Sequence, residues 1–289
     1  MEVLEMKYAV TGATGKFGRS VINYLVGQLE QGELVALVRN TAKAAQMLPQ
    51  GVEIRQADYN DEKGLEQALG GIDRLLFISS LPSEEHSRQE QHFNVIEAAK
   101  KAGIKFIAYT SFPHADQAQS PLSADHKATE QALATSGLNY SLLRNNWYLE
   151  NELDLIKGAL TGQPFTYSAQ NGRVGWALER EYAEGAARVL LSSQPKKIYE
   201  FSGQPLTFKE LATAVAAVSV HQFEVLALDD NEYKKRLVHQ GLPEQVAEVF
   251  IMIQTLIRNG ELAHPSKDLE EVLGRQLMPL KKAIQEATH

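Results

Sequence analysis

Apolar runs and amphipathic stretches take turns along the first half of the chain. Tyr8–Val10 is a short apolar run that leads into a glycine-rich stretch, TGATGKFG, at residues 11–18. Val21, Leu25 and Leu29 then recur at every fourth position, the spacing of one helix face. Leu34–Val38 (LVALV) is apolar throughout, as expected of a strand covered on both sides. Val52–Ile54 and Leu75–Ile78 predict further strands, and between them Asp61 is placed to cap a helix that runs to Ala68. A long helix is expected over Glu84–Ala102. The acids Glu84 and Glu85, before His86, suit its positive end, and Gly103 suits its C-cap. Phe106–Tyr109 predicts a strand, Ala124–Thr135 a helix followed by Gly137, and Tyr140–Leu143 one more strand.

Parallel strands need crossover connections, and the intervening helices supply them. The pattern therefore predicts an α/β fold with a doubly wound, Rossmann-like parallel sheet. After Arg144 the rhythm changes. Helices are expected at Trp147–Leu160, Tyr182–Leu191, Phe208–Val218, Asn231–His239 and Pro243–Asn259. Short strands are expected at Phe165–Tyr167, Ile198–Phe201 and Phe223–Leu226. Residues 1–150 read as the sheet domain and 151–289 as a smaller mixed lobe over the sheet's C-terminal edge. The boundary is discontinuous if a late strand rejoins the sheet. Met1–Glu5 precede a natural first strand and receive no role.

Composition narrows the chemistry. The chain has 289 residues, 44% hydrophobic and 22% charged, within the ordinary range for a globular protein. It carries a formal charge of −7 and no long basic run, which disfavours nucleic acid as a partner. There is no cysteine, hence no disulfide, thiolate nucleophile or cysteine-held metal, and any redox chemistry must come from a bound cofactor. The same absence fits a cytoplasmic chain. No apolar run is long enough for a membrane span, and no signal peptide is visible. His86, His92, His114 and His126 are scattered without carboxylates at ligand spacing, so no metal site is expected. Glu150, Glu152 and Asp154 read as a solvated helix face. A homodimer is compatible with the fold class, though no residue argues for it.

Gly12, Gly15 and Gly18 follow a strand signal and open a helix signal. One glycine allows the sharp turn, another lets the backbone approach a pyrophosphate, and the third lets helix and strand pack closely. The helix N-terminus then offers free N–H groups and a positive dipole end. The stretch Gly12, Ala13, Thr14, Gly15, Lys16, Phe17 and Gly18 is thus the expected dinucleotide cradle. At the end of the second strand, where NAD binders carry an acid, the chain has Arg39 and Asn40, with Lys43 a turn further on. A guanidinium there suits a ribose 2′-phosphate, and so NADPH; the alternative is an exposed loop arginine.

With these residues in view, the chain resembles the NmrA-like branch of the atypical short-chain dehydrogenases, and within it the bacterial NAD(P)H:quinone oxidoreductase type. The resemblance lies in TGATGKFG, ALVRNTAKA, RQADYND, LLFISS, NVIEAAKKAGIKFIAYTS, HAD and YSLLRNNWYLEN, spread over residues 7–151. It implies an extended short-chain dehydrogenase fold, NADPH, and quinone reduction by direct hydride transfer without a flavin. It also implies cofactor contacts at Gly12–Phe17, Arg39, Ser79, Ser80, Leu81 and Pro82, and Asn145–Glu150, which includes Asn146, Trp147 and Tyr148. A later stretch near Trp176–Glu181 would join them; there the family has Asp where Glu181 aligns.

One familiar element is missing. Ketone-reducing relatives pair a tyrosine with a lysine four residues on, which tunes the phenol as a proton donor. Here Ser123 stands four residues before Lys127, and Lys127 reads as a solvated helix lysine. A quinone tolerates the loss, because its reduced form is a stabilised phenolate; the protein then holds donor and acceptor together and excludes water. Ser111, Phe112 and His114 follow the fifth strand, and Asn145–Tyr148 the sixth. Of these, Trp147 and Tyr148 could stack on a flat acceptor and His114 could donate to its oxygen. The catalytic residue stays unassigned. A non-catalytic NADP-binding regulator and an epimerase on the same fold remain as alternatives.

Overall fold

The computed structural model describes residues 6–82 and 86–289. Met1–Glu5 and the helix opening expected at Glu84–Glu85 lie outside the described residues. The chain begins with β1 (Tyr8–Thr11), α1 (Lys16–Val26), β2 (Leu34–Val38), α2 (Thr41–Met47), β3 (Glu53–Gln56) and α3 (Glu62–Ala68). Then come β4 (Arg74–Phe77), α4 (Arg88–Ala102), β5 (Phe106–Ser111), α5 (Pro121–Thr135) and β6 (Tyr140–Asn145). The helix α2 has no counterpart in the pattern reading. It is short and buries only Ala44, so it carries no apolar stripe to read. Among the described residues the expected helix before Gly103 runs from Arg88 to Ala102. Ser87 caps it in a reciprocal capping box with Glu90, and Gly103 ends it at φ 75°. Asp61 caps α3 as its side chain accepts the Gly64 N–H.

Past β6 the elements are β7 (Trp147–Tyr148), a 3-10 turn at Leu149–Glu152, α6 (Leu153–Leu160), β8 (Phe165–Tyr167), β9 (Arg173–Val174), β10 (Trp176–Ala177), α7 (Glu179–Leu191), β11 (Ile198–Phe201) and β12 (Leu206–Thr207). The chain closes with α8 (Phe208–Ala216), β13 (Val225–Ala227), α9 (Asp230–His239), α10 (Glu244–Arg258), α11 (Asp268–Leu273) and α12 (Leu280–Thr288). The helix expected from Trp147 therefore begins only at Leu153. Trp147 and Tyr148 are instead paired with Trp176 and Ala177 in a parallel ladder, and this tertiary pairing overrides the local helical spacing.

Seven strands form the main sheet in the order β11-β6-β5-β4-β1-β2-β3. The pairings of β1 with β2 and β4, of β2 with β3, of β4 with β5 and of β5 with β6 are all parallel. Strand order reverses direction at β1 and β4, and the C-terminal ends of such neighbours open a crevice. Val10, Val35, Leu37, Leu75, Phe77, Ile107 and Tyr109 are buried at the centre of the sheet.

The chain divides into two compact units. One runs to Asn145 and takes in Arg180–Glu200; the other comprises Asn146–Glu179 and Phe201–His289. In the second unit, α9 and α10 enclose a small core of Tyr233, Leu237 and Ala247. Phe165, Tyr167, Trp176 and Phe208 form an aromatic cluster there, with Tyr167 and Phe208 stacked at 5.4 Å.

Arg144 ties the far side of the sheet. It is 5% exposed on β6. Its Nε and Nη2 donate to both oxygens of Glu130 on α5 (2.9 and 2.6 Å), and its Nη1 donates to Glu200 on β11 (2.8 Å). Nη1 also pairs with Asp116 at 2.7 Å, and Ser111 Oγ donates to Glu130. Burial disfavours the guanidinium charge, but the bonds to Glu130 and Glu200 outweigh it and hold the pKa above its ordinary value.

Two stability outcomes follow. Gly18 packs so closely that an added Cβ would meet the Gly12 carbonyl oxygen, with Ala13 Cα at 2.8 Å. Gly18→Ala should cost about 1–3 kcal/mol as overpacking against backbone, read as a lower urea midpoint. Arg144→Leu would strand the buried Glu130 charge and should cost about 3–5 kcal/mol; a midpoint within error of the parent would contradict that account.

Candidate functional site

At the crevice between β1, β2 and β4 the first unit opens a cavity of about 890 Å³, lined by residues that include Gly12, Thr14, Gly15, Arg39, Asn40 and Lys43. Asp58, Tyr59, Ile78, Ser79, Ser80, Leu81, Pro82 and Gln91 line it too. The glycine turn shapes its floor. Gly12 is exposed and sits at φ 59°, a left-handed conformation that side chains resist. Gly15 is the N-cap of α1 and offers no side chain to the helix's first N–H groups, which leaves them to an anion. Ala13, Phe17 and Gly18 are buried in packing, whereas Lys16 is exposed but outside the lining.

Arg39 follows directly on β2 and is exposed at the cavity wall. Asn40 is spent as the cap of α2, since its Oδ1 accepts the Lys43 N–H at 2.9 Å. That cap turns the backbone so that Arg39 and Lys43 line one cavity. Asp58 is the acid of this lining, and its Oδ1 accepts the Asn60 N–H at 2.9 Å.

The loop after β4 is held at successive residues. Ile78 N–H donates to Thr11 Oγ1 (2.9 Å), Ser79 N–H to Thr110 Oγ1 (2.8 Å) and Ser80 N–H to His92 Nε2 (3.0 Å). Tyr59 donates its hydroxyl to the Ile78 carbonyl at 2.7 Å. Burial holds that phenol well above its ordinary pKa, so it stays a donor. The tautomer of His92 follows from its neighbours. Thr129 donates to the Asp125 carbonyl, so its oxygen accepts from His92 Nδ1, 2.8 Å away, and Nε2 is left as the acceptor for Ser80. Burial first, then the nearby His126 and Arg88, push the His92 pKa down to about 2. The imidazole is neutral and its acceptor is permanent.

Pattern reading did not single out Thr11, Tyr59, His92 or Thr110 as contributors to this site. The signal for the first was local, a threonine at the end of a strand beside the glycines. The others act across long sequence separations that a single chain does not reveal.

Residues after the fifth and sixth strands divide differently. His114 lies at φ 45°, its N–H donating to Glu200 Oε2 (3.2 Å) and its Nδ1 3.5 Å from the other oxygen, so it joins the Arg144 network. Asn145 ends β6 and is buried, and the chain passes to the second unit after it. Asn146 is also buried, with Nδ2 donating to Ser202 Oγ (3.2 Å) and the Leu262 carbonyl (3.1 Å), which makes it an anchor of the second unit. Trp147 and Tyr148 are partly exposed on β7. Lys127 donates to the Asp116 carbonyl at 3.0 Å, and Ser123 is buried against the Ser120 carbonyl.

The acidic stretch is not a solvated helix face. Only Asp154 is exposed there. Glu150 accepts the Glu179 N–H at 2.8 Å, and Glu152 is partly buried and accepts the Trp147 indole N–H at 3.0 Å. Removal from water raises the Glu152 pKa to about 7, and the Trp147 and Trp176 N–H groups moderate that rise. Among the described residues, no group of three or more acids and histidines could hold a metal, and no helix is long and apolar enough to cross a membrane.

The NAD(P)H-binding family model matches residues 12–169, a span that opens on the glycine turn. The chain is 40% identical over 278 residues to quinone oxidoreductase 2 of Escherichia coli K12, covering 96% of both chains. Among solved structures it is similar to NADPH-dependent quinone oxidoreductase from Escherichia coli complexed with NADPH, at 38% identity and a TM-score of 0.91 over 98% of this chain and 100% of that one. It is equally similar in shape to the triphenylmethane reductase of Citrobacter sp. complexed with NADP(H), at 36% identity and a TM-score of 0.91, with the same coverage. The chain belongs to the NAD(P)H-binding family and, within it, to the NmrA-like oxidoreductases.

Proposed function

We propose that this protein is an NADPH-dependent quinone oxidoreductase that works without a flavin. The observation that carries the reading is the cavity that joins a side-chain-free helix N-terminus to Arg39 and Lys43, in a chain 40% identical to a quinone oxidoreductase. The two ends of the cavity suit two phosphate groups. The bare N–H groups of α1 suit a pyrophosphate, and the paired cations beyond β2 suit a ribose 2′-phosphate. A free 2′-hydroxyl would find no acid at the end of β2 to accept from it.

Bound NADPH would supply the hydride. The protein's own part is binding and orientation. Gly12, Thr14 and Gly15 would hold the pyrophosphate, and Arg39 with Lys43 the 2′-phosphate. Ser79, Ser80 and Leu81 would border the cofactor from a loop fixed by Thr11, Thr110 and His92. On the acceptor side, Trp147 and Tyr148 offer aromatic surface for a flat quinone. No tuned tyrosine is required, because the quinone oxygens become stabilised phenolates that water can protonate.

Steady-state assays with NADPH and NADH over simple quinones test the reading, and NADPH should be preferred. Arg39→Asp should raise the NADPH KM roughly 10–100-fold, the worth of one or two charge-assisted bonds, and leave the NADH KM nearly unchanged. Equal losses with both coenzymes would remove the 2′-phosphate role from Arg39.

A further inference from the structure

The second unit carries a carboxyl group set among indoles. Glu152 closes the 3-10 turn after β7 and is partly buried. Its Oε1 accepts the Trp147 indole N–H at 3.0 Å. Trp176 is the ladder partner of Trp147 and is 6% exposed; its Nε1 is buried without a hydrogen bond of ordinary geometry, and its N–H favours the ionised form of the same carboxyl. Trp176 in turn stands edge-on to Phe208 at 5.2 Å, in the aromatic cluster of the unit. One carboxyl group thus faces both tryptophans of the chain.

We propose that Glu152 is a positioning residue of the acceptor site, fixing the Trp147 indole as the platform on which the quinone stacks. The proposal rests on the quinone reductase reading. A carboxylate has lone pairs for both indole N–H groups, whereas the protonated acid must turn one oxygen into a donor. The platform is therefore held most firmly when Glu152 is ionised. Burial places that ionisation at about pH 7, with the acid form below and the carboxylate above. Few other charges face it. Tyr233 of α9 is the titratable neighbour, and burial holds its phenol above the ordinary range. On the same segment Glu150 is engaged by the Glu179 N–H and Asp154 is exposed. The helix α12 packs on this turn with Ala283 and Ile284 buried, while Lys281, Lys282 and Glu286 are exposed.

Because the chain has only two tryptophans, its intrinsic fluorescence reads this cluster directly. In the protein without cofactor, indole emission should show one step near pH 7, absent in Glu152→Gln. In turnover, the quinone KM of the parent should fall as pH rises through 7, whereas in Glu152→Gln it should be flat, with the NADPH KM unchanged in both. Trp147→Phe, which removes the donor and leaves the acid, should raise the quinone KM about tenfold, the equivalent of one hydrogen bond to a charged group. A fluorescence step that persists in Glu152→Gln, or a KM profile identical in parent and variant, overturns the proposal. Absence of any quinone turnover in the parent overturns the functional reading beneath it, an outcome distinct from both.

Discussion

The hydroxyl of Thr11 fastens the two strand ends on which the site is built. It accepts the Ile78 N–H and donates to the Leu76 carbonyl, so β1 and β4 stay joined one residue past the point where their ladder stops. Everything in the cavity is referred to that join. Gly12 turns the chain away from β1 directly after it, and the loop from Ile78 leaves β4 directly after it. A doubly wound sheet must open at this place, because the crossovers after β1 and β4 lead to opposite sides of that strand pair. The threonine holds the two strand ends together at the point where the glycine turn and the pinned loop diverge.

The loop shows how a binding wall is made rigid without regular structure. Three consecutive backbone N–H groups are satisfied by side chains from β1, β5 and α4. Each acceptor is itself fixed by burial. His92 is the strongest case, since its tautomer is set by Thr129 and its protonation is suppressed by the apolar surroundings. The consequence is a polypeptide segment that behaves like part of the sheet. The cations of the cavity are treated differently. Arg39 and Lys43 stay exposed, held only by the cap that Asn40 places on α2, so their charge is free for a ligand.

Local pattern made the sheet legible. The apolar runs at Leu34–Val38 and Phe106–Tyr109 are buried throughout, and the glycine spacing located the turn before α1. Arg39 was legible because it stands where a strand signal stops. What escaped depended on distance along the chain. Trp147 and Tyr148 follow helical spacing and yet form a strand, because Trp176 and Ala177 lie beside them. Glu152 looks like one acid among three until the fold brings an indole to it. The caps of α4 and α8, Ser87 with Glu90 and Thr207 with Glu210, are written in the sequence as S-x-x-E and T-x-x-E.

The chain leaves the first unit at Asn145, returns at Arg180 and leaves again at Glu200. The dinucleotide-side unit is therefore not a contiguous stretch of gene. A fragment ending at Asn145 would keep the glycine turn and the Arg39 wall but lack β11. The flank of β6 would then be bare, with the run of buried residues from Ser141 to Asn145 along it, an open sheet edge of the kind that recruits other chains. Domain exchange or fusion with this unit has to carry Arg180–Glu200 along with it, and a swap that respects only sequence order would yield aggregates.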